Sequence, residues 1–196
     1  MITLTQKEKE ALLILFKDFT SFYNANSISK LLDISHVWAQ KIFKKLLKQN
    51  LLTDRKIGKS IVYKLKLEDD YARKLIAFLL ADEANTFKRW KEEFRELSKK
   101  AKIVILYGST IKNYTKANDV DIMIVINKKD AGEIDQIIKQ KNDILPKNLH
   151  AIKLTHKDMI KNINKKNKVI IDIVKNGVVI YGQDKYVEII KNVTGF

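Results

Sequence analysis

The sequence predicts an α+β protein made of two domains, and three observations lead there. The first 66 residues read as helix, helix, tight turn, helix and hairpin. From Lys102 onward the pattern changes to short apolar runs alternating with helices, the mark of a mixed sheet flanked by helices. Charge divides the same way: residues 1–66 hold 13 Lys+Arg against 5 Asp+Glu, residues 67–101 hold 8 of each, and residues 102–196 hold 17 against 10. The expected organisation is an N-terminal domain over 1–66, a helical connector over 67–100 and a C-terminal domain over 101–196.

Composition excludes several classes. With 45% apolar residues the chain is globular rather than disordered. It has no cysteine, so it carries neither a disulfide framework nor a thiolate metal site, which fits a cytoplasmic protein. It has no apolar run of about 18 residues, and its start, MITLTQKEKE, is too charged for a signal peptide, so no membrane partner is expected. The net charge of +15 points to a polyanion, nucleic acid first. A lysine-rich composition, 34 Lys to 4 Arg, is the other source of such an excess.

The first helix carries Ala11, Leu12, Leu15 and Phe16 at helical spacing behind Thr5 as N-cap. Ser21–Asn26 lacks this period and reads as a loop. A short helix follows from Ser27, with Ile28, Leu31 and Leu32 on one face. Asp33-Ile34-Ser35 is a tight turn, and Ser35 caps a third helix running to about Gln49. Its apolar stripe is read as Trp38, Ile42, Phe43, Leu46 and Leu47. That phase leaves His36, Gln40, Lys41, Lys44, Lys45 and Lys48 toward solvent. Two extended runs, Leu51–Arg55 and Ser60–Lys66, enclose the hairpin turn Lys56-Ile57-Gly58-Lys59.

Over roughly residues 5–66 this order resembles the winged helix–turn–helix family of transcription regulators. The resemblance implies double-stranded DNA as a partner, often bound by a homodimer. The third helix would enter the major groove behind Ser35, with His36 at a phosphate and Gln40 reading a base edge. Lys41, Lys44 and Lys45 would hold phosphates, and Arg55, Lys56 and Lys59 on the wing would reach neighbouring backbone.

Residues 68–100 read as helix, with stripes Tyr71, Leu75, Phe78, Leu79 and Phe87, Trp90, Phe94, Leu97, and a break near Asp82–Thr86. Ile103–Tyr107 is a buried strand ending at Gly108. Strands follow at Val120–Ile126, Leu149–Leu154 and Val178–Tyr181, and helices at Ala131–Lys141, His156–Asn164, Lys166–Lys175 and Asp184–Val193. Gly177 is expected as a helix C-cap.

The segment ILYGSTIKNYTKANDVDIMIV, residues 105–125, carries the chemistry. Gly108 lets the backbone approach a ligand, Ser109 adds a hydroxyl, and a helix starting near Thr110 would direct free N–H groups at an anion. Asp119 and Asp121 share one strand face, with Cα atoms about 6.6 Å apart at ~3.3 Å per residue. Such a pair suits oxygen ligation of a hard cation, Mg²⁺ (or Mn²⁺) beside phosphates. The nine residues between Ser109 and Asp119 allow both to meet at one sheet edge.

Gly108-Ser109 followed by Asp119-x-Asp121 resembles the DNA polymerase beta superfamily, in particular its minimal nucleotidyltransferases, over roughly residues 85–196. The resemblance implies that Gly108 and Ser109 hold the phosphates of a nucleoside triphosphate, with Lys112 adding charge, and that Asp119 and Asp121 bind Mg²⁺. The sequence departs from the family at Asn113, where a glycine is usual, and at the third carboxylate. The strand Leu149–Leu154 offers His150 there instead, as a base. Asp172 is the rival third acid if Val169–Val174 were a strand; read as a helix, that run makes Asp172 structural.

Two functions follow. One is a Mg²⁺-dependent transferase that places a nucleoside monophosphate on a protein or RNA acceptor. The other is a DNA-binding regulator whose second domain senses a nucleotide or serves as an interaction module.

Overall fold

The computed structural model describes residues 3–194, and the chain divides into two compact units, Met1–Leu79 and Leu80–Phe196. The division falls inside one helix of the 67–100 segment. Among the described residues no helix is long and apolar enough to cross a membrane.

The N-terminal unit contains α1 (Gln6–Lys17), α2 (Ala25–Leu32), α3 (His36–Lys48), β1 (Leu52–Ile57) and β2 (Ser60–Leu65). α1 starts with a capping box: the Thr5 side chain accepts from Glu8 N, and Glu8 Oε2 accepts from Thr5 N at 2.8 Å. Such a cap stabilises by about 0.5–2 kcal/mol. α2 begins two residues earlier than its sequence suggests, because Asn24 and Ser27 form a second reciprocal cap. The preceding loop is held by buried Asp18, which accepts from Thr20, Ser21 and, at 2.5 Å, the Tyr23 hydroxyl. Asp33 turns the chain at φ 51, and Ser35 caps α3 by accepting from Trp38 N. The hairpin pairs Ile57 with Ser60 across a two-residue turn in which Gly58 has φ 59. Phe43 stacks on Tyr63 at 4.0 Å, pinning α3 to the wing. Three helices with an antiparallel wing after the third make this a winged helix–turn–helix.

Helix phases differ from expectation in three helices. α3 buries Ala39, Ile42, Phe43 and Leu46, while Trp38 is 45% exposed and Leu47 is half-buried. On α2, Ile28 and Leu32 are buried, but Leu31 points outward. The same correction applies to α4 (Asp70–Asn85), whose buried positions are Ala72, Ile76, Ala77, Leu79, Leu80 and Ala84, with Tyr71 and Phe78 exposed. In α3 and α4 a small alanine takes the inward position and a larger side chain lies outside it; in α2 Ser29 is buried while Leu31 is exposed.

In the C-terminal unit, α5 (Lys88–Glu93) and α6 (Arg95–Ser98) precede β3 (Ile103–Tyr107). Then come α7 (Ser109–Lys112), β4 (Val120–Ile126), α8 (Ala131–Ile144), β5 (Leu149–Thr155), α9 (His156–Asn164), α10 (Lys168–Asn176), β6 (Val178–Tyr181) and α11 (Gln183–Thr194). The sheet order is β5-β4-β3-β6, with β4 and β5 parallel across the α8 crossover and the other pairs antiparallel. One face packs Val104, Leu106, Val120, Ile122 and Ile124 on Trp90, Phe94, Leu97 and Ile134. Burying each large side chain contributes about 1.5–3 kcal/mol.

Gly177 is the C-cap of α10, its N–H donating to Ile173 O. Its backbone is extended at φ −76, and a Cβ there would lie 2.5 Å from Ile173 O and 2.7 Å from Ile105 Cγ2. The cap position is also closely packed, and that packing is what calls for glycine.

Candidate functional site

β3 and β4 end at one edge of the sheet. Tyr107 pairs with Asp121, so the strand carrying the aspartates lies beside the residue that leads into Gly108. Gly108 has φ 79, a region that L side chains rarely adopt. A Cβ at 108 would also collide with Asp121 Oδ2 and come within 3.3 Å of Asp121 Cβ. The glycine corner and the second aspartate are therefore packed directly against each other. Ser109 and Lys112 are exposed on the short α7. Thr110 is buried, and its hydroxyl donates to Asp119 O at 2.9 Å, fixing the start of β4 to the corner.

β5 supplies the third side. Its parallel register sets His150 beside Asp121. His150 Nδ1 lies 3.3 Å from Asp119 Oδ2 and 3.8 Å from Asp121 Oδ1. Among the described residues, Asp119, Asp121 and His150 form a group whose ligand atoms all fall within 4.8 Å of one another. Burial raises the Asp121 pKa above the usual carboxylate value; the Asp119 charge adds to the rise, and His150 opposes it. Burial likewise raises Tyr107, helped by the charges of Asp121 and Asp119. Negative charge thus accumulates in a half-buried corner, an arrangement that a bound cation relieves. The two carboxylates offer the hard oxygen donors that a divalent cation beside phosphates requires; the third donor is a nitrogen.

Asp172 is not the missing acid. It is exposed on α10 and accepts from Asn176 Nδ2 at 2.7 Å. Two contributors were not legible in the sequence. Thr110 is one. Lys147, in the loop before β5, is the other: its ammonium donates to the carbonyls of Tyr114, Thr115 and Ala117 and sits 4.4 Å from the centre of the Tyr114 ring. It clamps the loop between α7 and β4 through contacts more than 29 residues apart in sequence, which local pattern cannot reveal.

On the N-terminal unit, His36, Gln40, Lys41 and Lys44 are exposed on α3, Ser35 is exposed at its cap, and Arg55, Lys56 and Lys59 are exposed on the hairpin. Lys45 differs from the others. Its ammonium donates to Glu8 Oε2 at 2.8 Å and to Thr3 O at 3.0 Å, so it is engaged within the fold rather than held out to a partner.

No curated protein matches this chain at a significant level. Solved structures similar to it include the adhesin competence repressor AdcR from Streptococcus pyogenes, 18% identical over 48% of this chain and 68% of that one, with a TM-score of 0.38. A second structure of AdcR is 14% identical over 72% and 80% of the two chains, with a TM-score of 0.40. A variant of ZitR from Lactococcus lactis is 14% identical over 73% and 76%, with a TM-score of 0.35. The family model described as polymerase beta, nucleotidyltransferase, matches residues 89–186. That span is half of the sequence and contains β3, α7, β4 and β5, the elements that build the corner; the chain belongs to the polymerase beta nucleotidyltransferase family.

Proposed function

We propose that the C-terminal unit transfers a nucleoside monophosphate from a nucleoside triphosphate to a hydroxyl of a protein or RNA acceptor, and that the winged unit holds duplex DNA. The observation that carries the first part is the packing of Gly108 against Asp121, which unites the phosphate corner and the acidic pair in one place. Gly108 and Ser109 receive the phosphates, with Lys112 adding positive charge nearby. Asp119 and Asp121 would hold the divalent cation, Mg²⁺ or Mn²⁺, which when bound would offset phosphate charge and lower the pKa of the acceptor hydroxyl. The acceptor oxygen bonds to the α-phosphorus, the bond from that phosphorus to the bridging oxygen breaks, and pyrophosphate leaves with the electron pair. His150 has two chemical uses there: to take the acceptor's proton, or to complete the ligand set.

The test is transfer of label from α-labelled triphosphates to co-expressed partners. Transfer that vanishes in Asp119→Ala and Asp121→Ala is the expected result; no transfer, or transfer that survives both changes, removes the reading.

One observation favours a second reading. The β5 position beside Asp121 is a histidine, and Asp172 faces solvent. In that reading the unit binds a nucleotide without turnover and tunes DNA binding. It requires duplex affinity that changes on adding a triphosphate with the cation, and no label transfer.

For DNA, the exposed bases of α3 and the hairpin support phosphate contacts. Affinity is expected to fall steeply with salt.

A further inference from the structure

We propose that the imidazole of His150 is the third cation ligand of the acidic corner, and that the site consequently prefers a borderline transition cation of the Co²⁺ or Zn²⁺ type over Mg²⁺. This rests on the reading that Asp119 and Asp121 bind a divalent cation.

Register carries the first half. β5 runs parallel to β4 with His150 directly beside Asp121, so the side chain leaves the sheet next to the carboxylate it must join. Distance carries the second. Ligand atoms about 2.1 Å from one ion, at angles between octahedral and tetrahedral, lie roughly 3.0–3.4 Å apart. His150 Nδ1 stands 3.3 Å from Asp119 Oδ2, within that edge length, and 3.8 Å from Asp121 Oδ1, about half an ångström beyond it, a gap that a small side-chain rotation closes.

The remaining side chains of β5 and α10 leave the position to His150. From Leu149 to Thr155 the strand contains no carboxylate, and Lys153 is paired with Asp135. Asp172 is bonded to Asn176 on its own helix. His150 is 59% exposed, so the ligand set stays open on one side, as a site that must admit phosphates requires.

Ligand chemistry supplies the preference. Mg²⁺ favours oxygen ligands and gives up its waters reluctantly, whereas a neutral imidazole binds borderline transition ions. A nitrogen in the third corner therefore raises affinity for Co²⁺ or Zn²⁺ more than for Mg²⁺, with Mn²⁺ between.

The test uses the full chain and the metals alone. Co²⁺ is titrated by its visible absorption and then displaced by Mg²⁺, with circular dichroism to check that each variant is folded. The wild-type protein should bind Co²⁺ and release it only to Mg²⁺ in excess of about a hundredfold. The proton NMR spectrum of the Co²⁺-bound protein should include hyperfine-shifted resonances of a ligating imidazole, among them its N–H proton. His150→Ala should weaken Co²⁺ by at least about tenfold, a scale reached even by changes outside the ligand shell. It should also remove the shifted proton. His150→Asp, which restores three carboxylates, should narrow the Co²⁺/Mg²⁺ preference by about tenfold or more while still binding metal. If His150→Ala binds Co²⁺ as tightly as wild type while Asp119→Asn does not, the ligand assignment is overturned and the acidic pair survives as the cation site. If Co²⁺ binding is indifferent to Asp119→Asn as well, both readings are overturned.

Discussion

The two units present their candidate functional residues in opposite ways. On the winged unit, Gln40, Lys41, Lys44, Arg55, Lys56 and Lys59 stand in solvent on a helix face and a hairpin. In the C-terminal unit, Asp119, Asp121 and Gly108 are fixed by strand pairing, a threonine hydroxyl and a backbone conformation that only glycine adopts easily. A charged face tolerates displacement of any one member. A corner in which a methyl group has no room does not. Single substitutions should therefore act gradually on the first unit and almost all-or-none on the second.

The largest effect is expected at Gly108. Gly108→Val should abolish label transfer, by at least about a hundredfold, since the side chain meets Asp121 Oδ2 and the positive φ is strained by about 1–3 kcal/mol. Steady-state transfer assays check it. Near-normal activity would mean that the corner is not the reaction centre. Next comes Lys147→Met, which leaves the carbonyls of Tyr114, Thr115 and Ala117 without their donor and should cost about 1–3 kcal/mol. Amide exchange through residues 113–118 should accelerate, and unchanged exchange would dismiss the clamp.

Two changes in the winged unit sharpen the contrast. Tyr23→Phe removes a donor from buried Asp18 and should cost about 1–2 kcal/mol at neutral pH, read by urea unfolding. Burial, with the Asp18 hydrogen bond and charge, pushes the Tyr23 pKa from 10.0 up to about 12. Its protonated form is favoured in the fold, so the contribution is complete below pH 10 and is lost as pH rises through about 12. Tyr23→Phe should flatten that part of the alkaline stability profile. The smallest effect separates neighbouring lysines. Lys41→Ala or Lys44→Ala should lower the salt slope of DNA binding by about 1 without altering stability. Lys45→Ala, which strips the 2.8 Å partner from nearly buried Glu8, should lower stability and leave the slope almost unchanged.

How much of this was legible in the sequence follows the range of each interaction. β4 coincides with its expected limits, because a run of β-branched and apolar residues broken only by Asp121 admits few readings. Thr5 and Ser35 are caps, as their positions just ahead of apolar periodicity suggested. His150 lies beside Asp121, since strand spacing alone carries it there. Bulk misled the helix phases: Trp38, Leu31, Tyr71 and Phe78 drew the apolar stripe toward themselves, whereas Ala39, Ala72 and Ala77 face inward. Gly177 caps α10 as expected, but its close packing against Ile105, on another strand, lies beyond local pattern. Lys147 was invisible for the same reason.

The parallel pairing of β4 with β5 has a consequence for how this domain could diverge. Side chains alternate between faces, so moving β5 by a single position would carry His150 to the opposite side and bring Leu149 or Ala151 to the corner in its stead. The stretch 145–148, between α8 and β5, sets that alignment. An insertion or deletion of one residue there would swap an imidazole for an aliphatic group beside Asp121 while leaving the hydrogen-bonded ladder whole, so that a copy of the same shape would lose the third donor of the corner.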